Sequence, residues 1–210
     1  MGNGHSSGEW KYNNVERDYL DLCHIVDFVR DGLQCQVGCI IGHSLGSASI
    51  LKYAAANAIL EEKGSEVMCR KFVNLAGHYY TPPVTTPFDE EDMTELKEKG
   101  FFYLKHPYEE KRIQKFKVTQ EQVDTRTNRD SYGAVKHLGR SDSQIRVLTI
   151  HGSKDKMVHI ENACKFDREI AHHKLTIVEC ADHNFNGVKF HDSILVPAIS
   201  SFVQEAGDSS

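Results

Sequence analysis

Much that would classify this chain quickly is missing from it. Its six cysteines, at 23, 35, 39, 69, 164 and 180, form no Cys-x-x-Cys pair, so neither a zinc site nor a disulfide framework is indicated. No apolar run approaches the length needed to cross a membrane. Nothing near the start reads as a secretory leader, and reduced thiols in a cytoplasmic protein are the expectation. A formal charge of -5 offers no general attraction to a polyanion, so nucleic acid is not an expected partner. The one basic cluster, Lys111-Arg112-Ile113-Gln114-Lys115-Phe116-Lys117, is accounted for as well by a solvated helix face. His78 and the pair His172-His173 lack the carboxylate or thiolate spacing of a metal site, and no metal or organic cofactor is expected.

What is present reads as one domain of strands alternating with helices. The 210 residues suffice for one sizeable core. Val15, Tyr19, Leu22, Val26 and Val29 recur at helical spacing and predict a helix ending near Gly32. A strand is expected over 34–41, a helix over 47–62, and a second strand over 71–75. Thr81-Pro82-Pro83 breaks regular structure. From about 77 to 143 the chain is polar with weak periodicity, and that is too long for a connection, so it is read as an inserted helical cap. Strands at 145–150 and 175–178 follow, with helices over 160–171 and 193–205. The alternation predicts an α/β fold: a mostly parallel sheet with helices on both faces.

Functional groups in such a sheet gather at the carboxyl ends of the strands. Three of those ends carry Ser44, Asp155 and His183. A serine hydroxyl needs an imidazole to take its proton, and the imidazole needs a carboxylate to fix its tautomer and stabilise its cation. Gly42-x-Ser44-x-Gly46 is the pattern of a sharp strand-to-helix turn, where a Cβ two residues either side of the serine is expected to clash. Each residue also has a plainer reading: Ser44 as a helix N-cap, Asp155 as a cap of the next helix, His183 as a structural histidine. Asp182 is a poor candidate for the acid, because consecutive side chains diverge.

Gly42-His43-Ser44-Leu45-Gly46 resembles the nucleophile elbow of the α/β-hydrolase superfamily. His151-Gly152-Ser153-Lys154-Asp155-Lys156-Met157-Val158 is similar to its acid loop, and Ala181-Asp182-His183-Asn184-Phe185 to its histidine loop. The branch it most resembles holds feruloyl-esterase-like and serine-aminopeptidase-like hydrolases. The resemblance implies a serine hydrolase of esterase type acting on a small-molecule ester. Ser44 would be the nucleophile, His183 the base, Asp155 its orienting acid, and the Leu45 backbone N–H an oxyanion donor. A peptidase or thioesterase with the same triad, and a non-catalytic binding protein, remain as alternatives.

The same resemblance implies a departure. Gly2-Asn3-Gly4-His5-Ser6-Ser7-Gly8 is similar to an internal Gly-x-Gly-x-Ser turn, so an N-terminally truncated fold is expected, without the loop that supplies a second oxyanion donor. That reading also accounts for Gly2 and Ser6, which otherwise fit the short pattern for N-terminal myristoylation. The strand leading to Ser44 would then lack one neighbour, and self-association through its open edge is expected.

Overall fold

The computed structural model describes residues 5–12, 14–79, 88–108, 112–127, 131–139, 142–187 and 191–205. Gly2 to Gly4 of the opening turn, Thr81-Pro82-Pro83 and Lys111 of the basic cluster lie outside the described residues. In chain order the elements are α1 (Val15–Asp27), β1 (Ile40–His43), α2 (Leu45–Glu62), β2 (Lys71–Leu75), α3 (Glu90–Lys99), β3 (Phe101–Tyr108) and β4 (Arg112–Thr119). They continue as α4 (Gln120–Thr127), α5 (Ser131–Leu138), β5 (Arg146–Gly152), α6 (Glu161–Glu169), β6 (His173–Val178) and α7 (Val196–Gln204). The chain divides into two units, Met1–Asp18 with Thr81–Arg129 and Tyr19–Tyr80 with Asp130–Ser210.

The second unit is built on a four-stranded sheet of order β1-β2-β5-β6, with every neighbouring pair parallel. Its strands are apolar on both sides because both faces are covered. Successive residues point to opposite faces. Phe72 and Val147 therefore join Val26 of α1, Ile50, Leu51 and Ala54 of α2, Val135 of α5 and Phe166 of α6. Val73, Leu148, Ile150 and Val178 pack instead with Leu195, Ala198, Ile199 and Phe202. Helices thus cover both faces, as the alternation of elements predicts.

The first helix and the first strand depart most from the expected boundaries. The strand expected over 34–41 is observed only at Ile40–His43. Among the described residues it sits at the edge of the sheet and pairs with β2 alone, over four residues, while Gln34 takes φ 53, which interrupts an extended path. The helix expected to run from Val15 to near Gly32 is α-helical to Asp27 and closes in a π turn, Phe28–Gly32.

The first unit is formed by the antiparallel hairpin β3–β4 with α3 and α4. Phe102 and Val118 are fully buried there with Phe88, Leu96 and Val123, and Trp10 packs on Phe116 with ring centroids 4.4 Å apart. Arg112 to Lys117 of the basic cluster therefore lie in a strand, not on a helix face. Its alternation places Lys117 Nζ 4.2 Å from the centre of the Phe101 ring, where the ring face attracts the cation.

Candidate active site

β1 ends at His43, and α2 starts at Leu45, leaving one residue for the turn. That residue is Ser44, held at φ 52 and ψ -114 and half-buried, with its N–H still bonded to Leu75 O of β2 at 2.8 Å. Such a conformation costs a non-glycine residue about 1–3 kcal/mol and persists only where the surroundings enforce it. The two flanking glycines are not equivalent. A Cβ on Gly42 would lie 2.6 Å from Gly46 O and 2.9 Å from Ser47 N, whereas a Cβ on Gly46 would meet nothing within 4 Å. Only Gly42 is enforced by close approach, so the expectation that both are is corrected. Ser47, buried in the first turn of α2, donates its hydroxyl to Gly42 O at 2.8 Å and so fastens the two arms of the turn. Motif reading passes over Ser47 because its work is a side-chain bond to a carbonyl.

Asp155 follows β5 in a tight turn of its own. Its Oδ1 accepts from the N–H groups of Met157 and Val158, each at 2.8 Å. The N-cap of α6 is Ile160, so Asp155 does not cap that helix. His151, wholly buried, donates from Nε2 to Val158 O at 2.7 Å, and this nitrogen lies 3.5 Å from Asp155 Oδ2. Burial lowers the His151 pKa below its ordinary value, which keeps the ring neutral and a donor beside the carboxylate.

The loop after β6 is pressed against the end of β5. A Cβ on Gly152 would lie 2.4 Å from Ala181 O, so glycine there permits the approach. Lys154 N donates to Ala181 O at 2.9 Å, and Cys180 N to Ser153 Oγ at 2.9 Å. This brings His183 to Asp155: Nδ1 lies 2.8 Å from Oδ2. His183 Nε2 lies 2.9 Å from Ser44 Oγ. A carboxylate only accepts, so Nδ1 carries the proton and Nε2 is left to accept from the serine hydroxyl. Asp182 is engaged elsewhere: bonds from Asn186 and Asn184 hold its carboxyl below the usual range.

A second array has similar distances but a different setting. Thr149 Oγ1 lies 2.8 Å from His173 Nε2, and His173 Nδ1 lies 2.9 Å from Asp167 Oδ1. Thr149 is fully buried in the sheet and receives a bond from Asn74 Nδ2 at 3.1 Å, so no acyl group can reach it. Both ring nitrogens of His173 are occupied, which leaves it no lone pair for a metal. The half-buried Cys39 and the buried Cys69 are poor nucleophiles: desolvation pushes Cys39 up to about 11 and raises Cys69 as well. Among the described residues, Ser44 is thus the hydroxyl that is both bonded to an imidazole and partly exposed. Leu45, at the first position of α2, brings an N–H with no acceptor inside the helix.

No protein-family profile matches the chain, and no curated protein matches it significantly. Solved structures do. Est1E from Butyrivibrio proteoclasticus, with ferulic acid bound, has a TM-score of 0.67 at 16% identity, over 98% of this chain and 75% of that one. Monoacylglycerol lipase from Paleococcus ferrophilus has a TM-score of 0.64 at 16% identity, over 96% and 80%. Alpha/beta hydrolase domain-containing protein 10 from mouse has a TM-score of 0.60 at 19% identity, over 97% and 74%. Together with the parallel sheet and its two helical layers, these likenesses establish that the chain has the α/β-hydrolase fold.

Proposed function

We propose that the protein is a serine hydrolase of esterase type, acting on a small or medium carboxylic ester in the cytoplasm. The observation that carries this reading is the unbroken line from Ser44 Oγ through His183 to Asp155 Oδ2, with links of 2.9 and 2.8 Å. Ser44 Oγ attacks the acyl carbon while its proton passes to His183 Nε2. The oxyanion is met by the Leu45 N–H, and Asp155 stabilises the imidazolium. The same proton then goes to the departing alkoxide, and water repeats the sequence to release the acid. No metal or cofactor enters these steps.

The supporting neighbours include a protein solved with ferulic acid and a monoacylglycerol lipase, so feruloyl esters, monoacylglycerols and p-nitrophenyl esters form the substrate panel. Nothing in the triad itself prefers an ester to a thioester or amide, and those alternatives belong in the same panel. The first test is labelling with a fluorophosphonate probe. An adduct on the folded protein that disappears in Ser44→Ala is expected; an adduct that survives the substitution, or none at all, removes the assignment. A non-catalytic binding role is favoured by one observation, that Leu45 is the single oxyanion donor identified among the described residues. Loss of one donor costs about 10²- to 10³-fold in turnover. Ligand binding without Ser44-dependent labelling would select that role. Self-association through the open edge of β1 completes the reading.

A further inference from the structure

His43 has no part in the steps above, yet it touches the base. It closes β1, and its Nε2 lies 2.8 Å from the main-chain carbonyl of His183. A carbonyl only accepts, so Nε2 is the donor in that contact. The two imidazole rings lie 5.0 Å apart, with 43° between their planes.

The other bonds of the histidine loop run in different directions. Lys154 N to Ala181 O and Cys180 N to Ser153 Oγ tie it to the end of β5. The Asp182 carboxylate ties it to itself through Asn184 and Asn186. Asp155 holds the ring through Nδ1. These contacts place His183 relative to the acid, not relative to the nucleophile. Among the described residues, two hydrogen bonds reach from this loop to the elbow: His183 Nε2 to Ser44 Oγ and His43 Nε2 to His183 O.

The first of those two cannot last through a catalytic cycle. Once Ser44 Oγ is acylated it has no proton to donate, and His183 must then draw a proton from water while standing over the ester. Something other than the serine has to keep the ring in place at that stage. We propose that His43 is a positioning residue: its Nε2–H fixes the His183 main chain to the elbow, independently of the state of Ser44 Oγ. The proposal rests on the hydrolase reading.

The donor, not the bulk of the ring, is what matters, and two substitutions separate them. His43→Leu keeps volume and removes the donor, whereas His43→Gln carries an amide N–H to about the reach of Nε2. His43 is exposed, so neither change empties a core position. In the full chain, kcat and KM on p-nitrophenyl butyrate are measured together with thermal unfolding and the proton resonance of His183 Nδ1–H. His43→Leu is expected to lose about 10- to 100-fold in kcat with KM within about two-fold, and His43→Gln to recover most of that loss. Full activity in His43→Leu, or equal losses in both variants, overturns the proposal. If the wild type shows no Ser44-dependent labelling, the hydrolase reading falls first and the tether is judged by the resonance alone. A signal broadened in His43→Leu and restored in His43→Gln supports it, and a signal unchanged in His43→Leu overturns it.

Discussion

Ser44 is held by neighbours that act in three different ways, and substitution separates them. Gly42 gives room: a methyl there would meet Gly46 O at 2.6 Å, which the backbone can relieve only by opening the turn. Gly42→Ala is expected to cost about 1–3 kcal/mol, read from urea unfolding, and to abolish probe labelling because the Ser44 hydroxyl moves. Gly46→Ala is the reverse case. It adds a methyl into open space in the first turn of α2 and replaces glycine, a poor helix former, so a gain of up to about 0.5–1 kcal/mol is expected. A loss from Gly46→Ala larger than that from Gly42→Ala would refute this account of the turn. Ser47 contributes a bond to Gly42 O, and His43 the bond to His183 O. The three residues of the hydroxyl–imidazole–carboxylate line were legible in the sequence because each stands where a strand of an α/β sheet ends. Ser47 and His43 were not, because their partners are main-chain carbonyls, which leave no trace in residue identity.

At the scale of elements, α1, α2, α6 and α7 and the strands β2, β5 and β6 follow from periodicity and from apolar runs bounded by turn residues, whereas α3, α4 and α5 lie in the polar stretch whose periodicity is weak. The hairpin β3–β4 was hidden by the run Phe101-Phe102-Tyr103-Leu104, whose consecutive apolar residues mask the alternation that buries Phe102 and exposes Tyr103. β1 was legible in kind but not in length, since an edge strand needs only enough pairing to reach the turn. Among the described residues it has β2 on one side and no strand on the other, and Ile41 is 50% exposed. Unpaired backbone beside an exposed β-branched residue invites a second chain. Sedimentation velocity is expected to show concentration-dependent association of the wild type, reduced in Ile41→Lys, where a charge on the strand opposes pairing. A monomer at all concentrations would remove the edge from consideration.

Across the whole molecule, two buried imidazoles link stability to pH. His151 and His173 both have pKa values lowered from the ordinary 6.5, in each case chiefly by burial. Opposing contributions come from the Val158 carbonyl, Asp155 and Glu161 around His151 and from Asp167 beside His173, while the nearby His183 adds to the lowering at His151. Well above pH 6.5 both rings are neutral in folded and unfolded chains alike, and stability owes nothing to their titration. Below it the unfolded chain takes up protons that the folded protein refuses, so stability falls until the folded values are reached. Each ring contributes a slope of at most about 1.4 kcal/mol per pH unit within that window. Urea midpoints measured from pH 7.5 down to pH 5 are therefore expected to be flat at first and then to decline. His173→Gln isolates one of the two contributions, since an amide can still face Thr149 but does not titrate. That variant is expected to start from a lower midpoint, because the contact with Asp167 is lost, and to decline less steeply. An identical slope in variant and wild type would mean that His173 takes its proton in the folded state as readily as in the unfolded one, and that the Thr149–His173–Asp167 array does not resist acid.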